Sequence, residues 1–301
     1  MKGVKSKICD RSITGFIDIL GFGSKVLAIK DADEKKIEEL VNAVKAVRKN
    51  FDHIDGETTD DEGKLMVEYQ NIASITTLAF SDSVIFNMPL KPEIPRDEEF
   101  GEIMNQVTSL AYAQAECIFD GFFIRGGVDL GWWYKENDLL VSQSLARAYL
   151  AESKANYPII VITDSFNEYF ENHLDLRLYG DTNIYSSNFE YVEILQKDGT
   201  TEKYLMLDYI RIVLESLTGV TLEVQENKRK ATSGEEKDKI MENARKIAIK
   251  QWLIAHAKKI QEAFNNATQQ DVKDKYVWLS NYHNRKVEQF MAGDECLCNL
   301  C

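Results

Sequence analysis

Apolar positions along the chain fall into short runs that alternate with helical stripes. Phe16 to Leu20 is a brief apolar run broken by one acid, Asp18, and fits a buried strand. Gly21 and Gly23 then make a turn, and a helical pattern opens behind it. Ile37, Leu40, Val41, Val44 and Val47 recur at three- and four-residue steps, which predicts a helix covering one face of a sheet, with Asp31 or Asp33 as its N-cap. An acidic loop from Phe51 to Gly63 leads into two strand-like runs, Leu65 to Ala73 and Thr76 to Met88, with a turn near Ala73-Ser74. Pro89, Pro92 and Pro95 end the second run in a loop.

Beyond that loop the pattern predicts a helix from Asp97 to Phe119 and a strand from Phe122 to Gly131. A short apolar segment (Leu139 to Val141), a helix (Ser144 to Ser153), a strand (Pro158 to Ile162) and a helix (Ser165 to Phe170) follow. The order β-α-β-β-α-β-(β)-α-β-α predicts an α+β, ferredoxin-like sheet with helices on one face. Asp175 to Ser187 reads as irregular. Phe189 to Leu195 and Lys203 to Met206 form a hairpin across Asp198-Gly199.

From Leu207 the character turns helical. A helix through Leu217 precedes a charged segment and a long helical pattern from Glu235 to Phe264. Ile249, Trp252, Leu253, His256 and Ile260 make one stripe there, and a last helix holds Tyr276, Leu279, Tyr282, His283 and Val287. The expected organisation is a domain over residues 1–206 and a helical extension over 207–301. His256 and His283 read either as ligands or, more economically, as packing residues, since the sequence shows no partners for them.

With 301 residues and 44% hydrophobic content, the chain can bury a sizeable core. A net charge of -13 argues against a generic nucleic-acid surface, which needs clustered Lys and Arg. An anionic substrate would need local cations or metal to offset that field. No apolar run reaches the length of a membrane span, and the start (MKGVKSKICDRS) has no signal-peptide core, so a cytoplasmic protein without membrane insertion is expected. Five cysteines, an odd number, speak against a disulfide framework. The tail Cys296-Leu-Cys298-Asn-Leu-Cys301 lacks the second ligand pair of a structural zinc site and reads as a flexible end.

Two acids carry the chemistry. Asp18 and Asp82 each follow an apolar strand at or before a tight turn, the second within Phe80-Ser-Asp-Ser. The ferredoxin-like order can bring both to one sheet end. Their mutual repulsion would keep one protonated unless a cation lay between them. Magnesium or manganese, with substrate phosphates completing the shell, resolves this, and two such ions could drive an in-line displacement. Amides at the Gly21–Gly23 turn are a natural seat for phosphate.

These residues resemble a family. Phe16-Ile-Asp18-Ile-Leu-Gly21-Phe22, Phe80-Ser-Asp82-Ser, Arg125-Gly-Gly, the SLARAYLAES helix and the PIIVITDSF strand are similar, in that succession, to class III nucleotidyl cyclases. They are most similar to the pyrimidine cyclases of bacterial Pycsar antiphage systems. The resemblance spans about the first 170 residues, and the later Lys275–Asn284 run resembles that group's helical tail. It implies a class III cyclase catalytic domain and a homodimer with active sites at its interface. It implies Asp18, Asp82 and the backbone carbonyl of Ile19 as ligands of two Mg²⁺ or Mn²⁺ ions per site. Phe16, Gly21, Phe22, Gly23, Ser81, Arg125 and Ser144 would be nucleotide-binding, with Arg147 joining the two acids in catalysis.

The product would be a 3′,5′-cyclic nucleotide and pyrophosphate, a second messenger in antiviral defence. UTP is favoured over CTP as substrate because uridylate cyclases are the commoner members of that group. Purine cyclases carry a base-reading lysine where this chain has Leu78, and a glycine where it has Ser81. Both departures weaken a purine reading. Arg125 is divided between phosphate contact and a structural pair with an acid, and Arg147 between phosphate contact and a solvated helix position. The alternatives are a purine cyclase and an inactive nucleotide-binding scaffold of the same fold.

Overall fold

A central antiparallel strand organises the sheet. A computed structural model describes residues 8–30, 33–52, 76–90, 99–136, 139–172, 188–196 and 199–300. The chain divides into two compact units, Met1–Tyr209 and Ile210–Cys301. In the first, strand β1 (Ile8–Ile19) leads through the short helix α1 (Phe22–Leu27) to α2 (Glu34–Asp52). Strands β2 (Thr76–Phe80) and β3 (Ser83–Pro89), helix α3 (Phe100–Phe119) and strand β4 (Ile124–Glu136) complete a β-α-β-β-α-β core. Strand β5 (Leu139–Ser142), α4 (Gln143–Lys154), β6 (Ile160–Ile162), α5 (Asp164–Asn172), β7 (Phe189–Leu195) and β8 (Thr201–Leu207) follow.

The sheet order is β2-β3-β1-β4-β6-β8-β7, with β5 paired to β4. Its first four strands are antiparallel neighbours in the ferredoxin-like order, and β6 adds in parallel to β4. The expected α+β, ferredoxin-like fold is therefore the observed one.

Register separates the two faces. Gly15 pairs with Phe86, and a Cβ on Gly15 would lie 2.1 Å from that ring, so only glycine leaves it room. Phe86 in turn stacks on Phe51 of α2 at 5.1 Å. Helices α2 and α3 thus meet each other beside the odd-numbered face of β1, with Ile13, Ile17, Val47, Phe51 and Val107 in the core. On the opposite face Gly127 lets α4 approach closely: its Cβ would fall 2.1 Å from the Ala148 carbonyl oxygen. Helices therefore flank both faces, which corrects the expectation of one. Gly127 and Gly131 of β4 admit α4 on that face.

Other expectations shift as well. The run from Thr76 to Met88 is a hairpin rather than one strand. Phe80 pairs with Ser83, and Ser81-Asp82 is its two-residue loop. Ser81 has a φ of 55°, as in a type II′ turn. The proposed strand at 65–73, Asp31 and the stretch 175–187 lie outside the described residues. Asp33 does cap α2, its Oδ1 accepting from the Lys36 amide at 3.3 Å. Of the α2 stripe, Val47 is buried, whereas Ile37 and Val41 are exposed and line a groove of about 710 Å³ with Phe22 and Val26.

The second unit is helical. Helices α6 (Tyr209–Ser216, beginning one residue inside the first unit), α7 (Leu222–Lys230), α8 (Gly234–Asn266) and α9 (Gln270–Gln289) precede a 3-10 turn at Asp294–Cys296. Ser233 caps α8 by accepting from the Glu236 amide at 3.1 Å. His256 and His283 are fully buried, stacked, and 2.9 Å apart between their Nδ1 atoms. His283 Nε2 contacts the Cys296 carbonyl at 2.8 Å. A carbonyl can only accept, so His283 carries its proton on Nε2 and receives the His256 Nδ1 proton on the other nitrogen.

The tail is not loose. Cys296 and Cys298 are buried, Ser280 Oγ donates to the Cys298 carbonyl at 2.7 Å, and Asn284 Oδ1 accepts from the Cys298 amide at 2.8 Å. Side chains of the Lys275–Asn284 run therefore hold the tail down.

Candidate active site

The sheet end formed by β1, the β2–β3 turn and the start of β4 gathers the charged groups. Asp18 is the penultimate residue of β1, opposite Ser83 on one side and Arg125 on the other. The Ile19 amide donates to the Asp82 carbonyl at 3.2 Å, fastening the β2–β3 turn to the end of β1. The Asp82 carboxyl lies over Gly23, with Oδ2 3.8 Å from where a Cβ would stand, and within hydrogen-bonding reach of the Asp18 carboxyl. The two acids are thus brought together.

Arg125 answers them from β4. Its Nε donates to Asp18 Oδ2 at 2.9 Å and lies 2.8 Å from Glu152 Oε1 of α4. The three side chains are 24%, 15% and 6% exposed for Arg125, Asp18 and Glu152, so this is a mostly buried ionic cluster. Burial pushes the Asp18 carboxyl above the usual carboxylate range. The Arg125 guanidinium pulls it back, and the adjacent Asp82 carboxyl raises it again. Of the two roles open to Arg125, the structure displays the acid pair.

The turn ahead of the site has Gly21 at φ 76°, a conformation in which a side chain would be strained. Gly21 and Gly23 are exposed, while the Phe22 ring is buried. Ser81 is exposed in the neighbouring turn. Phe16, half-buried, meets the Tyr149 ring edge-on at 5.2 Å, and register aligns Phe16, Ile85 and Leu78 across three strands on the Asp18 face. Phe80 on that face is 79% exposed. An open, largely apolar sheet surface therefore borders the acids.

Ser144 and Arg147 do not join them. Ser144 is fully buried, and its hydroxyl donates to Thr14 Oγ1 at 2.8 Å, which donates on to Asn87 Oδ1 at 3.0 Å. This ties the first turn of α4 to the sheet and leaves Ser144 no ligand-facing surface, correcting its expected nucleotide contact. Arg147 lies 3.7 Å from Asp129 Oδ2 instead. Asp129 is four residues beyond Arg125 on β4, a rise of about 13 Å. Thr163 and Ser165 hydroxyls donate to the other oxygen of Asp129. Burial raises that carboxyl and the two hydroxyls oppose the rise. Arg147 also lines a hollow of about 400 Å³ with Lys154, Thr163, Asp164 and Tyr204.

The donors at Asp18 and Asp82 are oxygens only, which suits hard cations such as Mg²⁺ or Mn²⁺. The raised Asp18 carboxyl beside a second acid is what a cation would relieve, so the residues fit such an ion. Among the described residues no group of three or more His, Cys, Asp or Glu side chains could hold a metal. A shell here would thus need carbonyl, water or phosphate oxygens as well.

Two participants escaped sequence reasoning. Glu152 falls on the buried stripe Ser144, Ala148, Ala151, Glu152, so an acid in register with alanines was the available signal. Asp129, flanked by Val128 and Leu130 on β4, is a lone acid in an apolar strand, the same signal that marks Asp18.

No family model and no curated protein matches the chain. Among solved structures, the catalytic core of a rhodopsin-guanylyl cyclase with converted specificity, in complex with ATPαS, is similar at 14% identity, covering 68% of this chain and 98% of that one. The TM-score is 0.38, and at these values no residue's role passes from that protein to this one. Among the described residues no helix is long and apolar enough to cross a membrane.

Proposed function

We propose that the chain is a metal-dependent nucleotide cyclase of the class III type that acts on a pyrimidine triphosphate, UTP before CTP. The observation that carries this reading is the convergence of Asp18 and Asp82 at one sheet end. Asp18, Asp82 and the Ile19 carbonyl would hold Mg²⁺ or Mn²⁺. Ions bound there supply Lewis acidity and charge neutralisation for attack of a ribose 3′-hydroxyl on the α-phosphorus with loss of pyrophosphate. The exposed Gly21–Gly23 turn offers its amides to the β- and γ-phosphates. The Phe16–Ile85–Leu78 surface gives a flat apolar seat for a base. Leu78 offers no hydrogen bond there, which favours the pyrimidine over the purine reading.

Arg147 lies well along β4 from its own chain's acids. A role at the reacting phosphate therefore calls for a second copy, and the open sheet face around Phe80 is the surface such a copy would cover. The working enzyme is on this reading a homodimer. A place in antiviral signalling follows from the resemblance to Pycsar cyclases and belongs to the same proposal.

The test is to incubate purified protein with each of the four NTPs and Mn²⁺ and to resolve products by chromatography. Cyclic UMP or cyclic CMP with pyrophosphate is expected. Cyclic AMP or cyclic GMP alone would sink the pyrimidine assignment, and nucleotide binding without any product would favour the scaffold.

A further inference from the structure

We propose that Glu152 is a positioning residue that takes Arg125 from Asp18 when a divalent cation engages the acid pair. This rests on the metal reading above. Arg125 Nε is 2.9 Å from Asp18 Oδ2 and 2.8 Å from Glu152 Oε1, and that nitrogen carries a single hydrogen. The hydrogen is directed at Asp18, so the contact with Glu152 is ionic at present. Because the two distances nearly match, the guanidinium can redirect its hydrogen by tilting, without leaving its place in β4.

Charge explains why a second acceptor is needed. Asp18, Asp82 and Glu152 carry three formal negative charges against the one of Arg125, and a divalent cation cancels the remainder. An Arg held only by Asp18 would compete with that cation for the same carboxylate. A cation binding at Asp18 would then also strand a mostly buried guanidinium, which is costly. Glu152, with a side chain 6% exposed on the buried stripe of α4, removes that cost by receiving it. Arg125 thus screens the acids before the cation arrives and stays at the site afterwards.

The experiment is a Mn²⁺ titration of the full chain followed by electron paramagnetic resonance of free Mn²⁺, which needs no turnover. Asp82→Asn should weaken binding at least tenfold. If the wild type binds no Mn²⁺, or Asp82→Asn changes nothing, the metal reading fails and takes this proposal with it. With that reading standing, Glu152→Gln should weaken binding by about tenfold, and Arg125→Gln should tighten it by a similar factor, within the usual range of coupling between sites.

Two comparisons separate positioning from plain charge. In an Arg125→Gln background, Glu152→Gln should have no further effect. Glu152→Asp, which keeps the charge but shortens the reach, should weaken binding nearly as much as Glu152→Gln. Equal effects of Glu152→Gln in both backgrounds, or wild-type affinity for Glu152→Asp, would overturn the proposal. Glu152→Asp leaves Arg125 in place and keeps the test decisive should Arg125→Gln not fold.

Discussion

Asp82 sits in a two-residue loop, half-buried, beside a carboxyl that burial and its neighbour already push upward. Replacing it with Asn keeps the shape and removes the charge. Asp82→Asn is expected to lose at least a hundredfold in cyclase turnover, measured as product formed per enzyme, with an unchanged circular dichroism spectrum. At Gly15 the expectation is reversed: function is untouched directly but the fold suffers. A methyl there would stand 2.1 Å from the buried Phe86 ring, itself stacked on Phe51. Gly15→Ala should cost about 1–3 kcal/mol in urea unfolding, the usual penalty of overpacking a core.

At the scale of elements, the β2–β3 hairpin shows a local choice with a measurable cost. Ser81 holds φ 55°, a left-handed value that a glycine adopts freely. Ser81→Gly should stabilise the chain by roughly 0.5–1 kcal/mol in urea unfolding by removing that strain. This hairpin also marks where sequence reading stopped. Thr76 to Met88 is apolar on both sides of Ser81-Asp82, and the loop lacks the Asn-Gly or Asp-Gly pair that usually announces a hairpin. The helices were far more legible, because the stripes of α3, α8 and α9 repeat at helical spacing and pack as that spacing requires. The acids were legible too, since a lone carboxylate in an apolar strand is conspicuous. Their partners were not. Arg125 meets Asp18 through strand register and Glu152 through the lie of α4, and neither is written in any local stretch. Ser144 was misread for the same reason, as its acceptor Thr14 lies far away in the sequence.

For the whole molecule, two tests address properties that no single element holds. If each site combines the acids of one copy with Arg147 of another, Asp82→Asn and Arg147→Ala should each be inactive. Mixed in equal amounts and allowed to exchange, they should recover about a quarter of wild-type activity, since half the dimers then hold one intact site of two. No recovery would place both residues in one chain's site, and an active Arg147→Ala would rule Arg147 out. The second test is pH. Burial lowers the proton affinity of His256 and His283, the neighbouring ring adds to this at His256, and the bond to the Cys296 carbonyl opposes it at His283. Both folded pKa values lie below the unfolded value, so the stability they contribute is complete above about pH 6.5 and is lost as pH falls below it. Urea unfolding of the helical unit should lose up to about 2.7 kcal/mol per pH unit below that point, and His283→Gln should flatten the slope.

The buried tail also gives the helical unit a clock. Cys296 and Cys298 are sealed under α8 and α9, and burial raises both thiols, so little thiolate is present at neutral pH. Cys117 is pushed up to about 12 and is equally closed. Only Cys9, among the described thiols, has partial access to solvent. Of these four thiols, an alkylating reagent should therefore modify Cys9 first. The slower labelling of Cys296 and Cys298 then measures how often the end of the chain lifts away, without any probe having to be introduced.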